Sequence, residues 1–236
     1  MDKQTEERLE DLQLFFVRLI LRVPVSTPKA ALRSETGLRS MKHRVEIEKL
    51  MLIHHIKNLN ERCLARQVYD QQFKNNWPGL APEASLICER LGVENVNHTD
   101  FTKNEFKRLV IKACRREDEV LLRSSMEGRT KTQDLVTESC SLKDYFREKS
   151  LARTREMFRI RTNMNDLKGN FKHDVRNVTG GILCVACGMK DEVNSHVMTC
   201  DKYQDLRMGK DLCKDVDLVE YFREVMARRE LLENGK

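Results

Sequence analysis

The residues best suited to chemistry form a short cluster of cysteines and one histidine. They follow the pattern C-x2-C-x8-H-x3-C, with ligand positions at Cys184, Cys187, His196 and Cys200. The Cys-x2-Cys pair predicts a tight turn, and Gly188 directly after it tolerates the positive φ that such a turn needs. Because His196 and Cys200 are four residues apart, we expect both on one face of a helix.

These four donors predict one structural Zn²⁺ per chain. Zinc binds thiolate and imidazole groups in tetrahedral sets of four, whereas a catalytic zinc keeps one position open for water. The alternative is that the four residues are buried and unrelated. A complete tetrahedral set within so short a segment favours zinc.

A second group of candidate residues is basic and precedes the cluster. Segment 142–176 carries ten Lys or Arg residues against five Asp or Glu residues. Such a stretch can bind nucleic-acid phosphates, but it can equally be a solvated helix whose charges are paired with neighbouring acids. The candidate phosphate contacts are Arg153, Arg155, Arg159, Arg161, Lys168 and Lys172.

The composition predicts the kind of fold that must position these groups. Among 236 residues there are only 10 Gly and 4 Pro, while 34% are charged. Few helix breakers and many Lys, Arg, Glu and Leu residues predict a mostly α protein. The net charge of +6 permits a nucleic-acid partner without requiring one.

The chain shows no sign of a membrane span or a secretory signal. Its most apolar run, 14–21, is interrupted by Arg18, and a span needs roughly 20 apolar residues. The N-terminus is acidic and polar, unlike a signal peptide. We therefore expect an intracellular protein, nuclear or cytoplasmic, with no membrane partner and with reduced cysteines.

Periodicity and capping residues predict a series of helices. The expected helices cover 3–23, a short segment opened by Thr27 and Pro28, then 41–59, 62–75 and 82–91. Thr102 and Glu105 form a capping box before a long helix that ends near Met126. Ser141 should open a helix over 142–163, and a terminal helix covers 215–232. The predicted organisation is a helical bundle at 1–92, a helical linker region at 93–140, and a basic helix with a zinc module at 141–236.

Several segments together resemble one family, the reverse transcriptases of non-LTR (LINE-type) retrotransposons. Segment 9–59, with its PVSTP turn and LRSETGLRSM stretch, resembles the thumb region and its continuation. Segment 157–172, MFRIRTNMNDLKGNFK, resembles the Arg-rich stretch before the family's C-terminal zinc knuckle. The cysteine–histidine cluster resembles that knuckle, and 200–207 resembles its exit. The resemblance follows chain order, with a weakly matching middle at 78–140.

The resemblance implies a thumb-like bundle and a zinc knuckle that bind RNA or an RNA–DNA hybrid. The family's polymerases hold two metal ions on adjacent aspartates, and this sequence contains no Asp-Asp pair. We therefore expect a non-catalytic, nucleic-acid-binding fragment or derivative of such an element. The alternative is a protein–protein adaptor in which zinc only stabilises the fold, which the modest charge and the 6% aromatic content favour.

Overall fold

The computed structural model describes residues 2–93, 100–127, 135, 141–148, 150–171 and 181–234. It is 70% helical, and the described part contains ten α-helices and no β-strand. The mostly α prediction is confirmed. Contacts divide the chain into two compact units: unit 1 comprises Met1–Gln13 and Leu38–Ser125, and unit 2 comprises Leu14–Gly37 and Met126–Lys236.

The helices belong to the units as follows. Helix α1 (Lys3–Leu21) contributes residues to both units, and α6 (Lys103–Met126) lies in unit 1 except for its last residue. The other helices of unit 1 are α3 (Met41–Lys57), α4 (Leu64–Asn75) and α5 (Leu80–Leu91). Those of unit 2 are α2 (Lys29–Thr36), α7 (Leu151–Arg161), α8 (Asn194–Val197), α9 (Gln204–Arg207) and α10 (Asp215–Glu233). Short 3-10 turns cover Asp144–Arg147, Lys168–Phe171 and Asp201–Tyr203.

Unit 1 is a helical bundle around one apolar core. Helices α3, α4 and α5 pack on one another, and α6 adds Phe106, Val110 and Cys114 to the same core. Side chains cap two helix ends in this unit, one of them at the predicted Thr102–Glu105 capping box. The Ser40 hydroxyl accepts from the His43 N–H, and Glu105 accepts from the Thr102 N–H and hydroxyl.

Unit 2 is built on a core that includes two cysteines of the predicted zinc cluster. Cys184 and Cys200 are buried in the same cluster as apolar residues from α1, α2, α7 and α10. Gly37 ends α2 with φ +63°, and a Cβ there would lie 2.4 Å from the Leu142 backbone nitrogen. This close approach requires glycine.

Several local predictions are wrong in detail. Helix α1 ends at Leu21 rather than 23 because Arg22 turns to φ 52° ahead of Pro24. Thr27 does not cap α2, which begins at Lys29 after Pro28 without a side-chain cap. The helix predicted over 142–163 is a 3-10 turn followed by α7, whose N-terminus is capped by Ser150.

The predicted domains at 1–92, 93–140 and 141–236 were drawn in chain order. The compact units instead group 14–37 with the C-terminal part of the chain. The three-part division stays a prediction, and parts of its linker, 94–99, 128–134 and 136–140, lie outside the described residues. None of the described helices combines the length and apolarity needed to cross a bilayer.

Candidate metal centre

The first two cysteines lie on the predicted tight turn. The Gly188 N–H donates to the Cys184 carbonyl over 2.8 Å, and Gly188 has φ +68°. Chain on either side of the turn pairs antiparallel at Leu183 and Asp191. Because this pairing closes the turn at its base, the two sulfurs are presented from a rigid loop.

His196 and Cys200 come from the segment that follows, and here the predicted local structure is wrong. His196 lies on α8, but this helix ends at Val197. Cys200 lies beyond it, immediately before the 3-10 turn Asp201–Tyr203. The two residues therefore do not share a helix face. They converge because the chain turns between them, with the Thr199 N–H donating to the His196 carbonyl at 2.9 Å.

The four donor atoms nevertheless lie close together. The ligand atoms of Cys184, Cys187, His196 and Cys200 all lie within 4.8 Å of one another. Cys187 Sγ is 3.3 Å from His196 Nε2. A zinc tetrahedron with bonds of about 2.0–2.3 Å has edges of roughly 3.5–3.8 Å. This Cys3His cluster could hold a metal ion, and its soft donors fit Zn²⁺.

The surroundings shift the pKa values of two of the thiols in opposite directions. The backbone N–H of Met189 lowers the pKa of the Cys187 thiol to about 6, whereas burial raises the pKa of the Cys184 thiol to about 11. One thiolate is thus favoured near neutral pH. A bound dication would favour ionisation of the other because thiolates are the ligands that it binds.

A buried carboxylate that sequence reasoning did not identify binds the backbone of the turn. Glu192 is fully buried. Its Oε1 accepts from the Val185 N–H at 3.3 Å, and its Oε2 accepts from the Lys168 N–H at 3.1 Å. Arg229 of α10 pairs with the same Oε2 at 3.1 Å. One side chain therefore ties the Cys-x2-Cys turn to two other parts of unit 2.

Helix α10 also holds the second half of the cluster. The Tyr221 hydroxyl donates to the Val197 carbonyl at 2.6 Å. From α9, Arg207 donates to the carbonyl of Cys200 at 2.9 Å. These contacts fix the backbone beside two of the four ligands, as outer partners of metal ligands commonly do.

The predicted phosphate-binding residues fall into two groups, of which the first is paired with acids. Arg161 forms an ion pair with the fully buried Glu35 at 2.7 Å. Arg153 pairs with Glu148 at 3.5 Å. The ammonium group of Lys168 lies 2.9 Å from Glu233. These three side chains form ion pairs within unit 2, and Lys172 lies outside the described residues.

The second group lies at the C-terminal end of α1. Arg155 donates to the Ile20 carbonyl at 2.7 Å, and Arg159 donates to the Arg22 carbonyl at 2.6 Å. Desolvation, together with the neighbouring Arg22 and Arg159 charges, lowers the pKa of the Arg155 guanidinium. Arg22, Arg155 and Arg159 therefore form an arginine cluster.

Unit 1 contains a cluster of charged residues that sequence reasoning missed. The buried His43 ring lies between carboxylates, with Nδ1 3.0 Å from Asp118 and Nε2 3.3 Å from Glu117. Glu46 lies 3.9 Å from Nε2. Arg90 contacts Glu117 and lies 2.5 Å from Glu46. We call these residues the His43 cluster; they come from α3, α5 and α6, so no local spacing reveals them.

Comparison with known proteins found no relative. No protein-family model matches the sequence, and neither a curated protein nor a solved structure matches the chain.

Proposed function

We propose that the chain is a non-catalytic nucleic-acid-binding protein whose unit 2 is stabilised by one structural Zn²⁺. The ligands are Cys184, Cys187, His196 and Cys200. Three thiols and one imidazole are a zinc set, and carboxylate-rich sites suit Mg²⁺ or Ca²⁺ instead. The bound ion would cross-link the Cys-x2-Cys turn to the α8 segment and leave no position for water. The resemblance to a retrotransposon reverse transcriptase is the basis for proposing a fragment or derivative of such an element.

The arginine cluster carries the proposal that the partner is a nucleic acid. Three guanidinium groups lie together at Arg22, Arg155 and Arg159, and Arg22 is exposed. Among the described residues, no carboxylate forms an ion pair with any of the three. Arg155 and Arg159 each donate to one carbonyl at the end of α1, and their other N–H groups can donate to an anion. Phosphate suits the planar, multiply donating guanidinium group. The other described candidates, Arg153, Arg161 and Lys168, have acidic partners of their own.

Salt dependence of binding tests this proposal. Phosphate contacts release counterions, so the logarithm of affinity falls linearly with the logarithm of salt, by about 0.7–0.9 per contact. We expect R155Q/R159Q to flatten that slope by up to about two. The matched control is R223Q/R228Q, which removes the same charge. Arg223 and Arg228 are paired with Glu156 and Asp205 at 2.6 and 2.5 Å, so the control should leave the slope nearly unchanged.

The measurement is fluorescence anisotropy with labelled single-stranded RNA, single-stranded DNA and an RNA–DNA hybrid at several salt concentrations. Phosphate contacts carry little sequence information, so R155Q/R159Q should weaken RNA and DNA about equally. An unchanged slope in a double variant with native circular dichroism would remove the arginine cluster from the binding site. Failure of the unmodified protein to bind any of the three ligands would refute the function itself.

We also propose that the chain does not polymerise nucleotides. This expectation rests on the sequence, which lacks the adjacent aspartates of the family's palm, and on a metal site whose four ligands are all supplied by protein. Primer extension on an RNA template with Mg²⁺ or Mn²⁺ should give no product. Extension that persists through repeated purification would contradict the proposal.

One observation favours the second candidate, a zinc-stabilised protein–protein adaptor. Helix α1 exposes large apolar side chains along one face, among them Phe15 and Phe16, at 56% and 52% exposure. Exposed apolar faces of this kind mark protein interfaces. Nucleic-acid binding with a normal salt slope would favour the first candidate, and absence of binding would favour the adaptor.

A further inference from the structure

Helix α6 of unit 1 carries a row of exposed cations on its outer side. Its apolar residues Phe106, Val110 and Cys114 are buried in the core of the unit. The opposite side carries basic residues at helical steps of four, three, one and seven, which places them on one face. We call this set the basic face; it consists of Arg108, Lys112, Arg115, Arg116 and Arg123, all of which are exposed.

The acidic residues that interrupt this row in the sequence belong to the other side of the helix. Glu117 and Asp118 follow the basic residues directly, yet both contact the buried His43 ring, at 3.3 and 3.0 Å. Arg90 and Lys42 also pair with Glu117. Because these two carboxylates belong to the His43 cluster, they do not neutralise the basic face.

The charge of the basic face is therefore unbalanced. Within the described part of the chain, none of its five cations forms an ion pair or a side-chain hydrogen bond. Two acidic residues of α6, Glu105 and Glu119, share the face, so cations outnumber carboxylates by three. The Glu105 carboxylate also accepts from the Thr102 hydroxyl at the start of the helix. A concentration of unpaired cations of this kind attracts a polyanion.

The residue types of the face favour a double-helical nucleic acid as that polyanion. Phe106 is the one aromatic residue of α6, and it is buried, so the face offers no ring on which an unpaired base could stack. Four of the five cations are arginines, whose planar guanidinium groups donate to phosphate oxygens in pairs. The row extends over about 22 Å of the helix, and a duplex offers a negative charge about every 1.7 Å of its axis.

A membrane surface is a poorer match for this helix. Helices that lie on membranes insert their apolar side between the lipids. In α6 that side, with Phe106, Val110 and Cys114, is already buried in the core of unit 1.

We propose that the basic face of α6 is a second nucleic-acid-binding surface, which contacts the phosphate backbone of a duplex. This inference rests on the proposed function, since the partner is again a nucleic acid, but it uses none of the residues of the arginine cluster. Phosphate contacts carry little sequence information, so binding at this face should depend on the presence of a duplex and not on its sequence.

Fluorescence anisotropy of the full chain at several salt concentrations tests the face, with a labelled duplex of about 20 base pairs and with one of its strands alone. K112Q/R116Q should flatten the salt slope for the duplex by up to about two. Between about 50 and 200 mM salt, the affinity of the variant should then fall roughly tenfold less than that of the unmodified protein. R108Q/R115Q, a second pair on the same face, should act alike, and binding to the single strand should change less.

The matched control is R62Q/K74Q, which also removes one Arg and one Lys from unit 1. Both residues are exposed and lie outside α6, so the control should leave the slope nearly unchanged. Circular dichroism confirms that each variant retains its helices. An equal loss of slope in the control and in K112Q/R116Q would overturn the proposal, as would an unchanged slope in both basic-face variants.

Two further outcomes would overturn the choice of ligand. Equal weakening of duplex and single-strand binding would contradict the duplex assignment. Binding to phosphatidylserine vesicles that K112Q/R116Q abolishes, with duplex binding unaffected, would assign the face to a membrane surface.

The two nucleic-acid proposals can fail separately. If R155Q/R159Q flattens the slope and K112Q/R116Q does not, only the basic face is refuted, and the reverse result refutes only the arginine cluster. Failure of the unmodified protein to bind any nucleic acid refutes both.

Discussion

The Cys3His cluster in unit 2 and the His43 cluster in unit 1 each gather one histidine and several potential ligands, yet their chemistry differs. In the first, the donors are three thiols and an imidazole within 4.8 Å of one another. In the second, three carboxylates surround His43, and Arg90 contacts two of them. Lys42 adds a further positive charge, 3.5 Å from Glu117.

The difference shows that convergence of ligand residue types does not by itself define a metal centre. A dication binds where the negative charge of the donor atoms is not already neutralised by neighbouring cations. Arg90 and Lys42 already serve that role in the His43 cluster, so its carboxylates complete a network of ion pairs between helices. In the Cys3His cluster the thiolates have no such cation among the residues described, and a metal ion is the fitting counter-charge.

The largest expected effect is that of removing metal ligands from the Cys3His cluster. C184S/C187S removes two ligands, and structural zinc contributes on the order of 10 kcal/mol of apparent binding energy. We expect one zinc per unmodified chain by elemental analysis, none in the variant, and loss of hydrogen-exchange protection across 182–234. Protection across 41–91 should change far less, because the core of unit 1 contains none of the ligands.

The exposed Cys213 provides the control for that experiment. C213S removes a thiol outside the cluster and should retain one zinc per chain and the protection of unit 2. Full metal retention in C184S/C187S would contradict the assigned ligand set, and equal loss of protection across both segments would contradict the distinction between the units.

The second effect tests whether the Glu192 carboxylate stabilises the candidate metal site, in contrast to the carboxylates of the His43 cluster, which pair with cations. E192Q leaves the four ligands intact but weakens the acceptor for the Val185 and Lys168 amides and the partner of Arg229. Loss of an outer partner typically costs 10- to 100-fold in metal affinity. Competition with a chromophoric chelator should show a loss of that size. E224Q is the control, since Glu224 pairs with Lys210 at 2.8 Å without contacting the turn, and its zinc affinity should be unchanged.

How much of this could be predicted depends on how far apart the partners lie in sequence. The Cys3His cluster spans 17 positions, so its spacing alone identified all four candidate ligands. The His43 cluster draws residues from 43 to 118, and only the packing of α3, α5 and α6 brings them together. Caps such as Ser40 were predictable because the chemistry is local. The end of α1 at Leu21 was not, because Arg22 adopts a positive φ and its carbonyl accepts from Arg159 of a helix remote in sequence.

The basic stretch illustrates the same limit. From the sequence, Arg155, Arg159 and Arg161 are equivalent positions in a charged helix. In the structure Arg161 pairs with buried Glu35, 126 residues away, and Tyr145 donates to the same carboxylate at 2.7 Å. A partner so distant leaves no trace in local composition, so a structural arginine and a candidate phosphate ligand could not be told apart.

The third effect concerns the counter-charge of the His43 cluster. R90Q leaves Glu46 and Glu117 close together without the cation that contacts both. These carboxylates are only partly exposed, so the variant should lose about 1–3 kcal/mol in the stability of unit 1. Urea unfolding followed by hydrogen exchange in 41–91 measures the loss. K49Q is the control: Lys49 pairs with Glu83 at 2.5 Å near the surface of the same unit, and its loss should cost under about 1 kcal/mol.

The smallest effect compares one helix cap in each unit. Ser40 accepts from the His43 N–H at 3.2 Å and opens the helix that carries the His43 cluster. Ser150 accepts from the Arg153 N–H at 3.3 Å and opens α7, whose residues pack in the same core as Cys184 and Cys200. Because each hydroxyl satisfies one otherwise unpaired N–H, S40A and S150A should each cost about 1 kcal/mol.

The two caps should differ in how they respond to metal removal. The proposed Zn²⁺ would bind only the folded form of unit 2, so adding a chelator should lower the stability of unit 2. The S150A loss would then bring unit 2 nearer to unfolding. Hydrogen exchange in 151–161 should therefore accelerate far more when chelator is added to S150A than exchange in 41–57 does when chelator is added to S40A. Equal acceleration of hydrogen exchange in both segments would mean that the metal stabilises the two units alike. The Cys3His cluster and the His43 cluster would then not differ in how they contribute to stability.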